Sequence, residues 1–410
     1  MNQSIMFQPL MLANGTKIKN RFMKPAMSEV MGDARFRPTA RLIALYRAWA
    51  NGGTGLLITG NVMIDAQAIS EKGNVVIEDD RDLPLLQEWA KAGSVNGAQT
   101  WVQLNHPGRQ AAKHVALHPV APSAVPLEGP NAFAFNPPRA LTIEEIPLEE
   151  IHEIVAKFAR SAAIVKMAGF GGVQIHAAHG YLLNQFLSPL SNRRTDDYGG
   201  SLENRMRIIE EVYLAIREQV GAAFPVGLKI NSSDFRAGGF SEAESIQVIH
   251  RMAHLGVDLI EISGGNYENT VIQGDNRKGA FFIDYAAKAK AGIDTPIAVT
   301  GGFRTLHGME TAVTNHETEM VGLARATALI PDLPNQVKKG AFTEINLERL
   351  STGLPCLDRK AGAYIGLSYY EMQMVRIAGG KPVKLTKNAW RPLCFAFHTQ
   401  GWSVLMPQRA

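Results

Sequence analysis

From about residue 20 to residue 340, short apolar runs alternate with longer segments of helical period. The runs 21–27, 55–64, 100–105, 172–176, 226–231, 259–263, 296–300 and 320–323 have the length and β-branched content of buried strands. Between them lie helical patterns such as 39–51, 83–96, 149–167, 204–220 and 242–254. In 149–167, Ile151, Ile154, Val155, Phe158, Ala162 and Val165 recur at spacings of three and four and mark one buried stripe. Strict alternation of strand and helix requires crossover connections and hence a parallel sheet. Eight such units fit a closed (β/α)8 TIM barrel, an α/β fold; a doubly wound open sheet is the alternative.

In a barrel, chemistry collects on the loops that follow the strands, and the polar residues of this chain gather there. Gln103, Asn105 and His106 end the third run, and His176 and His179 lie at the end of the fourth. Lys229 and Asn231 end the fifth. Gly264–Gly265, Gly301–Gly302 and Ala324–Arg325 follow the last three.

Two segments fall outside the repeat. Residues 106–148 form a long loop after strand three, rich in proline (Pro119, Pro122, Pro126, Pro130, Pro137, Pro138, Pro147). Its length predicts a lid over the barrel mouth. The pattern therefore divides the chain into a barrel, 1–340, and a C-terminal extension, 341–410. The extension is expected to hold one helix around 368–377, stopped by Gly379–Gly380 and Pro382. Trp390, Phe395, Phe397 and Trp402 behind it need burial against the barrel or a neighbouring subunit.

Composition narrows the setting. With 46% hydrophobic and 20% charged residues the chain is that of a globular protein. A net charge of +4, without a run of like charges, gives no reason to expect nucleic acid or a membrane surface as partner. Two cysteines, Cys356 and Cys394, are too few for a disulfide framework or a four-thiolate cluster. The N-terminus lacks the pattern of a signal peptide, and no run approaches the ~20 apolar residues of a membrane span. The expectation is a cytoplasmic protein acting on a small molecule, with a homo-oligomer possible.

Three constellations carry chemistry. Val299-Thr300-Gly301-Gly302 and Val321-Gly322-Leu323-Ala324-Arg325 close the seventh and eighth units, the recurrent phosphate site of such barrels. Small residues admit phosphate oxygens to backbone N–H groups, and Arg325 can bind them bidentately; the alternative is that the glycines only make tight turns. In His176-Ala177-Ala178-His179-Gly180-Tyr181, two imidazoles can hold a carbonyl oxygen as negative charge builds on it. A phenol with a pKa near ~10 suits protonation of an enolate carbon. A metal bound by His106, His176 and His179 is disfavoured, since no thiolate or matching carboxylate accompanies them. Gln103 and Lys229, pointing into one mouth, can jointly hydrogen-bond a flat heterocycle and stabilise its anion. Lys229 can instead pair with Asp258 or Glu261, or form a Schiff base as in aldolase barrels.

These residues resemble the old yellow enzyme family of FMN-dependent barrel oxidoreductases. The longest match runs from His176 to Tyr181, through Gln185-Phe186-Leu187-Ser188-Pro189 and Asn192-Arg193-Arg194-Thr195-Asp196-Asp197-Tyr198-Gly199-Gly200-Ser201, to Glu203-Asn204-Arg205. Gln103-Leu104-Asn105-His106-Pro107-Gly108-Arg109 and Asn20-Arg21…Ala26-Met27-Ser28 are similar to two further family motifs, and the resemblance covers roughly residues 5–340. It implies that Pro25, Ala26, Met27 and Ser28 lie along the flavin, with Gly60 near the same edge. It implies that Gln103 and Lys229 bond the pyrimidine side and that Gly301, Gly302, Ala324 and Arg325 hold the FMN phosphate. His176 and His179 would then bind the acceptor oxygen and Tyr181 would protonate the α-carbon.

The chain departs from the family pattern at Ala26 for the common Pro, Ala324 for Gly and Lys229 for Arg, the last losing the planar fork. The cysteine cluster and extra domains of the family's larger dienoyl-CoA reductase members are missing. The expected activity is hydride transfer from NADH or NADPH through FMN to an α,β-unsaturated carbonyl; nitro compounds and quinones are alternative acceptors.

Overall fold

The computed structural model describes residues 4–111, 115, 119–128, 143–265, 268 and 280–400. Eight parallel strands close on themselves: β1 (Phe22–Lys24), β2 (Leu56–Ile58), β3 (Gln99–Asn105), β4 (Gly172–Ala177), β5 (Val226–Asn231), β6 (Leu259–Ser263), β7 (Ile297–Thr300) and β8 (Met320–Gly322). β8 pairs β1 through Val321↔Phe22, and β2 pairs β3 through Leu56↔Gln99, so the ring has no edge. Helices α1 (Ala40–Asn51), α2 (Leu83–Gly93), α3 (Leu148–Met167), α4 (Leu202–Val220), α5 (Glu242–Leu255), α6 (Ile283–Lys290), α7 (Leu306–Thr314) and α8 (Leu333–Lys338) surround it. The closed barrel is the expected architecture, and the open-sheet alternative falls.

The strand alternation sorts the barrel interior into two layers. At the closed end, Met23, Leu56, Ile58, Trp101, Leu259, Ala298 and Met320 form an apolar cluster. Leu10 and Ile18, partners in a small antiparallel ladder, join it and plug that end. Trp101 fills the middle because Gly172 and Gly227 make room: a Cβ on Gly172 would meet its indole at 2.8 Å. Two residues further along, the inward positions turn polar, and the site begins there.

Several boundaries differ from the sequence expectation. The first strand stops at Lys24 rather than 27, because Pro25 has no N–H to continue the ladder. The second run, 55–64, breaks after Ile58 into β2 and a separate Val62–Met63 pairing with Leu104–Asn105. The extension holds two helices where one was expected, α9 (Pro355–Ala378) and α10 (Trp390–Gln400). Gly362 and Gly366 lower the intrinsic helix signal of the first half of α9. Its buried Ile365 and Tyr369, and its packing on α1, sustain it. Trp390 is 44% exposed, and its indole N–H donates to the Thr352 carbonyl at 2.9 Å. Pro130, Pro137, Pro138 and Trp402 lie outside the described residues. No described helix is long and apolar enough to cross a membrane.

Candidate active site

The polar layer is one hydrogen-bonded network. Gln103 Nε2 donates to Gln174 Oε1 (2.7 Å), and Gln174 Nε2 donates to Glu261 (2.9 Å). Glu261, fully buried, also accepts from Thr300 Oγ1 (2.8 Å) and pairs with the Lys229 ammonium at 2.8 Å. Register explains the meeting, since Lys229 lies beside Glu261 on β6 and His176 on β4. Of the two carboxylates weighed for Lys229, Glu261 is the partner; Asp258 pairs with Arg217 at 2.8 Å. Gln174 went unremarked in the sequence because it sits inside an apolar strand run.

A second buried ion pair stands beside it. Lys24 Nζ reaches Glu29 (2.7 Å), Tyr46 Oη (3.0 Å) and the Ile58 carbonyl (2.7 Å). Burial pulls the Lys24 pKa down against Glu29, and burial, then Glu29, pushes the Tyr46 phenol well above its usual value. Gly60 closes this corner: its N–H donates to Glu29 at 3.0 Å, and a Cβ there would meet the Met27 carbonyl at 2.5 Å. The Pro25–Ser28 segment is thereby fixed along the rim, with Ser28 donating to Glu71.

On the opposite side, His176, His179 and Tyr181 form one aromatic cluster. The His176 ring centroid lies 5.2 Å from His179 and 5.0 Å from Tyr181, both nearly edge-on. The turn that assembles them needs left-handed backbone at His179 (φ 58°) and Gly180 (φ 78°). Asn231 Oδ1 accepts from the His179 N–H (3.1 Å), and Asn184 Oδ1 accepts from the Gly180 N–H (2.7 Å), holding it. Burial, then the positive neighbours, depresses both imidazole pKa values well below 6.5, so both rings are neutral at pH 7. His176 Nδ1 accepts the Ala178 N–H (3.2 Å), which leaves the proton on Nε2. His179 Nε2 meets Ser263 Oγ at 2.8 Å.

At the β7–β8 end, Gly301 and Gly302 have φ of 109° and 89°, and a Cβ on Gly301 would meet nothing within 4 Å. Arg325 is joined by Arg304, which the sequence reading missed. Burial, then the Arg325 charge, lowers the Arg304 pKa. Two half-buried guanidinium groups repel each other here, and among the described residues neither has a carboxylate at ion-pair distance. This suits a dianionic phosphate. The amide of Gln103 and the charge of Lys229 suit a hydrogen-bonding heterocycle, so the donor set fits FMN from end to end.

In the insertion that follows β3, Arg109 donates to the Val125 and Pro126 carbonyls (2.9 and 3.0 Å) and pairs with Glu268 at 2.9 Å. The described part of the long insertion is thus tied to itself and, through Glu268, to the loop after β6. Among the described residues, no cluster of three or more His, Cys, Asp or Glu side chains is arranged to hold a metal ion.

Comparison with known proteins agrees with this geometry. The NADH:flavin oxidoreductase / NADH oxidase family model matches residues 5–344. The NADH-dependent flavin oxidoreductase iliE of Hypocrea jecorina is 36% identical over 359 residues, covering 80% of this chain and 88% of that protein. The NADH-dependent flavin oxidoreductase nadA of Aspergillus parasiticus is 39% identical over 342 residues, covering 78% and 75%. Among solved structures, a 2-naphthoyl-CoA reductase in complex with 2-naphthoyl-CoA superposes with a TM-score of 0.76 at 27% identity, over 82% of this chain and 52% of that one. Morphinone reductase gives 0.70 at 25% identity, over 83% and 91%. The chain therefore belongs to the NADH:flavin oxidoreductase / NADH oxidase family, the old yellow enzyme family, and is an FMN-dependent oxidoreductase that uses NADH.

Proposed function

We propose that the enzyme reduces activated alkenes, placing hydride on the β-carbon and a proton on the α-carbon of an α,β-unsaturated carbonyl compound. The carrying observation is the cluster of two neutral imidazoles and a phenol in one mouth. When bound, FMN supplies the two-electron chemistry between nicotinamide and acceptor. Gln103 and Lys229 would hold the pyrimidine side of the ring, Pro25–Ser28 and Gly60 would line it, and Gly301, Gly302, Ala324 and Arg325 would take the phosphate.

His176 then offers Nε2–H to the substrate carbonyl oxygen, and His179 supplies a second contact once Ser263 yields. The His176 donor is in place before charge builds on that oxygen, and removal of one such donor typically costs about 10²–10³ in rate. Being neutral, the two imidazoles stabilise the oxyanion without handing it a proton. Tyr181, 8% exposed and packed on His176, delivers its phenolic proton to the α-carbon. Lys229 is engaged with Glu261 inside the network, which suits a fixed charge rather than a Schiff-base amine.

The test is an anaerobic screen in which NADH first bleaches the bound flavin and enals, enones, dienoyl thioesters, nitro compounds or quinones are then added. Fast recolouring by enals or enones supports the proposal. Recolouring by quinones alone would refute it.

A further inference from the structure

The matched family segment ends at residue 344, so α9 lies wholly beyond it. A helix that only packs on a barrel buries an apolar stripe. Ile365, Met374 and Ile377 fit that description, but Ser368, Glu371 and Gln373 are buried too, Glu371 at 1% exposure. Gln373 is satisfied, donating to the Lys384 carbonyl (3.1 Å) and accepting from its N–H (2.9 Å). Glu371 is not: the Ser368 hydroxyl lies alongside one turn earlier, yet neither carboxyl oxygen makes a well-formed hydrogen bond among the described residues. A carboxyl withdrawn from water without a partner is costly, and it marks a place where a partner belongs.

What faces this stretch of α9 is the barrel mouth. Glu371 feels the charge of Glu71, whose carboxylate takes the Ser28 hydrogen bond beyond β1. Tyr370, the preceding residue, lies against Arg325 beyond β8 and Arg304 beyond β7. The helix packs on α1 and on the short helix Ala324–Leu329, so it bridges the first and last units of the ring. Burial, then Glu71, pushes the Glu371 pKa up to about 8, which keeps the carboxyl protonated at neutral pH and makes it a donor. Burial likewise raises the Tyr370 phenol, the adjacent guanidinium groups opposing, so it too donates.

We propose that Tyr370 and Glu371 are FMN-contacting residues, Tyr370 beside Arg325 at the phosphate end and Glu371 by the Ser28 loop, so that the C-terminal helix is a wall of the cofactor pocket. The inference rests on FMN occupying the mouth as described above. Holoenzyme of the parent, Tyr370→Phe, Glu371→Leu, Glu371→Gln and Leu367→Ser, an exposed site on the same helix, is diluted and FMN release is followed by flavin fluorescence. Loss of one donor should weaken FMN binding about tenfold in Tyr370→Phe and in Glu371→Leu. Glu371→Gln, which keeps a donor, and Leu367→Ser should hold FMN like the parent. The bound flavin's visible spectrum should shift in Glu371→Leu. Parent-like retention and spectra in folded Tyr370→Phe and Glu371→Leu would overturn the inference alone, and if Glu371→Leu does not fold, Tyr370→Phe against Leu367→Ser decides. A parent that binds no FMN would overturn the cofactor assignment with it.

Discussion

Replacing Glu261 by Gln separates what the Lys229 pair does for the fold from what Lys229 does for the cofactor. The two charges lie 2.8 Å apart with side-chain exposures of 3% and 0%. Their attraction is strong, but each was taken out of water, so the pair's net value is small while breaking it is expensive. Removing one partner of such a pair costs about 3–5 kcal/mol, because the other charge stays buried. With an unfolding entropy of about 2.1 cal/mol/K per residue over 410 residues, that lowers Tm by about 4–6 °C in one-step unfolding. The assay is thermal unfolding of Glu261→Gln beside the double variant Lys229→Met/Glu261→Leu. The double variant should recover most of the lost stability, since no charge remains buried, yet bind FMN more weakly than the parent. A Glu261→Gln protein as stable as the parent would refute the buried pair. A double variant with parental FMN affinity would remove Lys229 from the cofactor site.

Arg325→Ala should weaken FMN binding about 10- to 150-fold, the equivalent of a lost charge-assisted hydrogen bond of about 1.5–3 kcal/mol; affinity within twofold of the parent by fluorescence titration would contradict the phosphate assignment. His176 and His179 should show ring-proton NMR titrations displaced to lower pH than an exposed histidine, because burial holds both pKa values well below 6.5, and a midpoint at or above 6.5 for either ring would contradict its burial. Burial lowers His106 to about 4. Below the unfolded pKa near ~6.5 the unfolded chain binds these protons and the fold does not, so each of the three histidines destabilises the fold as pH falls. For His106 that loss is on the order of 1.4 kcal/mol per pH unit down to its folded pKa. His106→Gln should therefore flatten the acid limb of a stability–pH curve, and an unchanged limb would argue against a buried neutral ring.

The barrel was legible because its two periodicities are local: β-rich runs and helical stripes announce themselves within ten residues. The histidine–tyrosine cluster was legible for the same reason, its members falling within one turn, 176–181. What escaped notice depends on contacts across the ring. Gln174 sits in an apolar strand run, and only closure of the barrel shows that it links Gln103 to Glu261 and picks Glu261 over Asp258 as the partner of Lys229. Lys24 and Glu29 likewise meet Tyr46 from another element. Arg304 has no motif of its own, and its meaning comes from lying beside Arg325. The length of α9 was underestimated because its glycines mask a helix sustained by tertiary packing.

The central claim, that this mouth reduces activated alkenes with Tyr181 as proton donor, is tested most directly by rapid mixing of Tyr181→Phe in its two half-reactions. Flavin bleaching by NADH should proceed at close to the parental rate, since no proton from Tyr181 enters that step. Recolouring by a saturating enone should slow by about 10²–10⁴, the usual value of a positioned general acid. Recolouring by a quinone, which can take its proton from water, should be far less affected. Equal enone rates in mutant and parent would contradict the account and leave Tyr181 as a packing residue on His176.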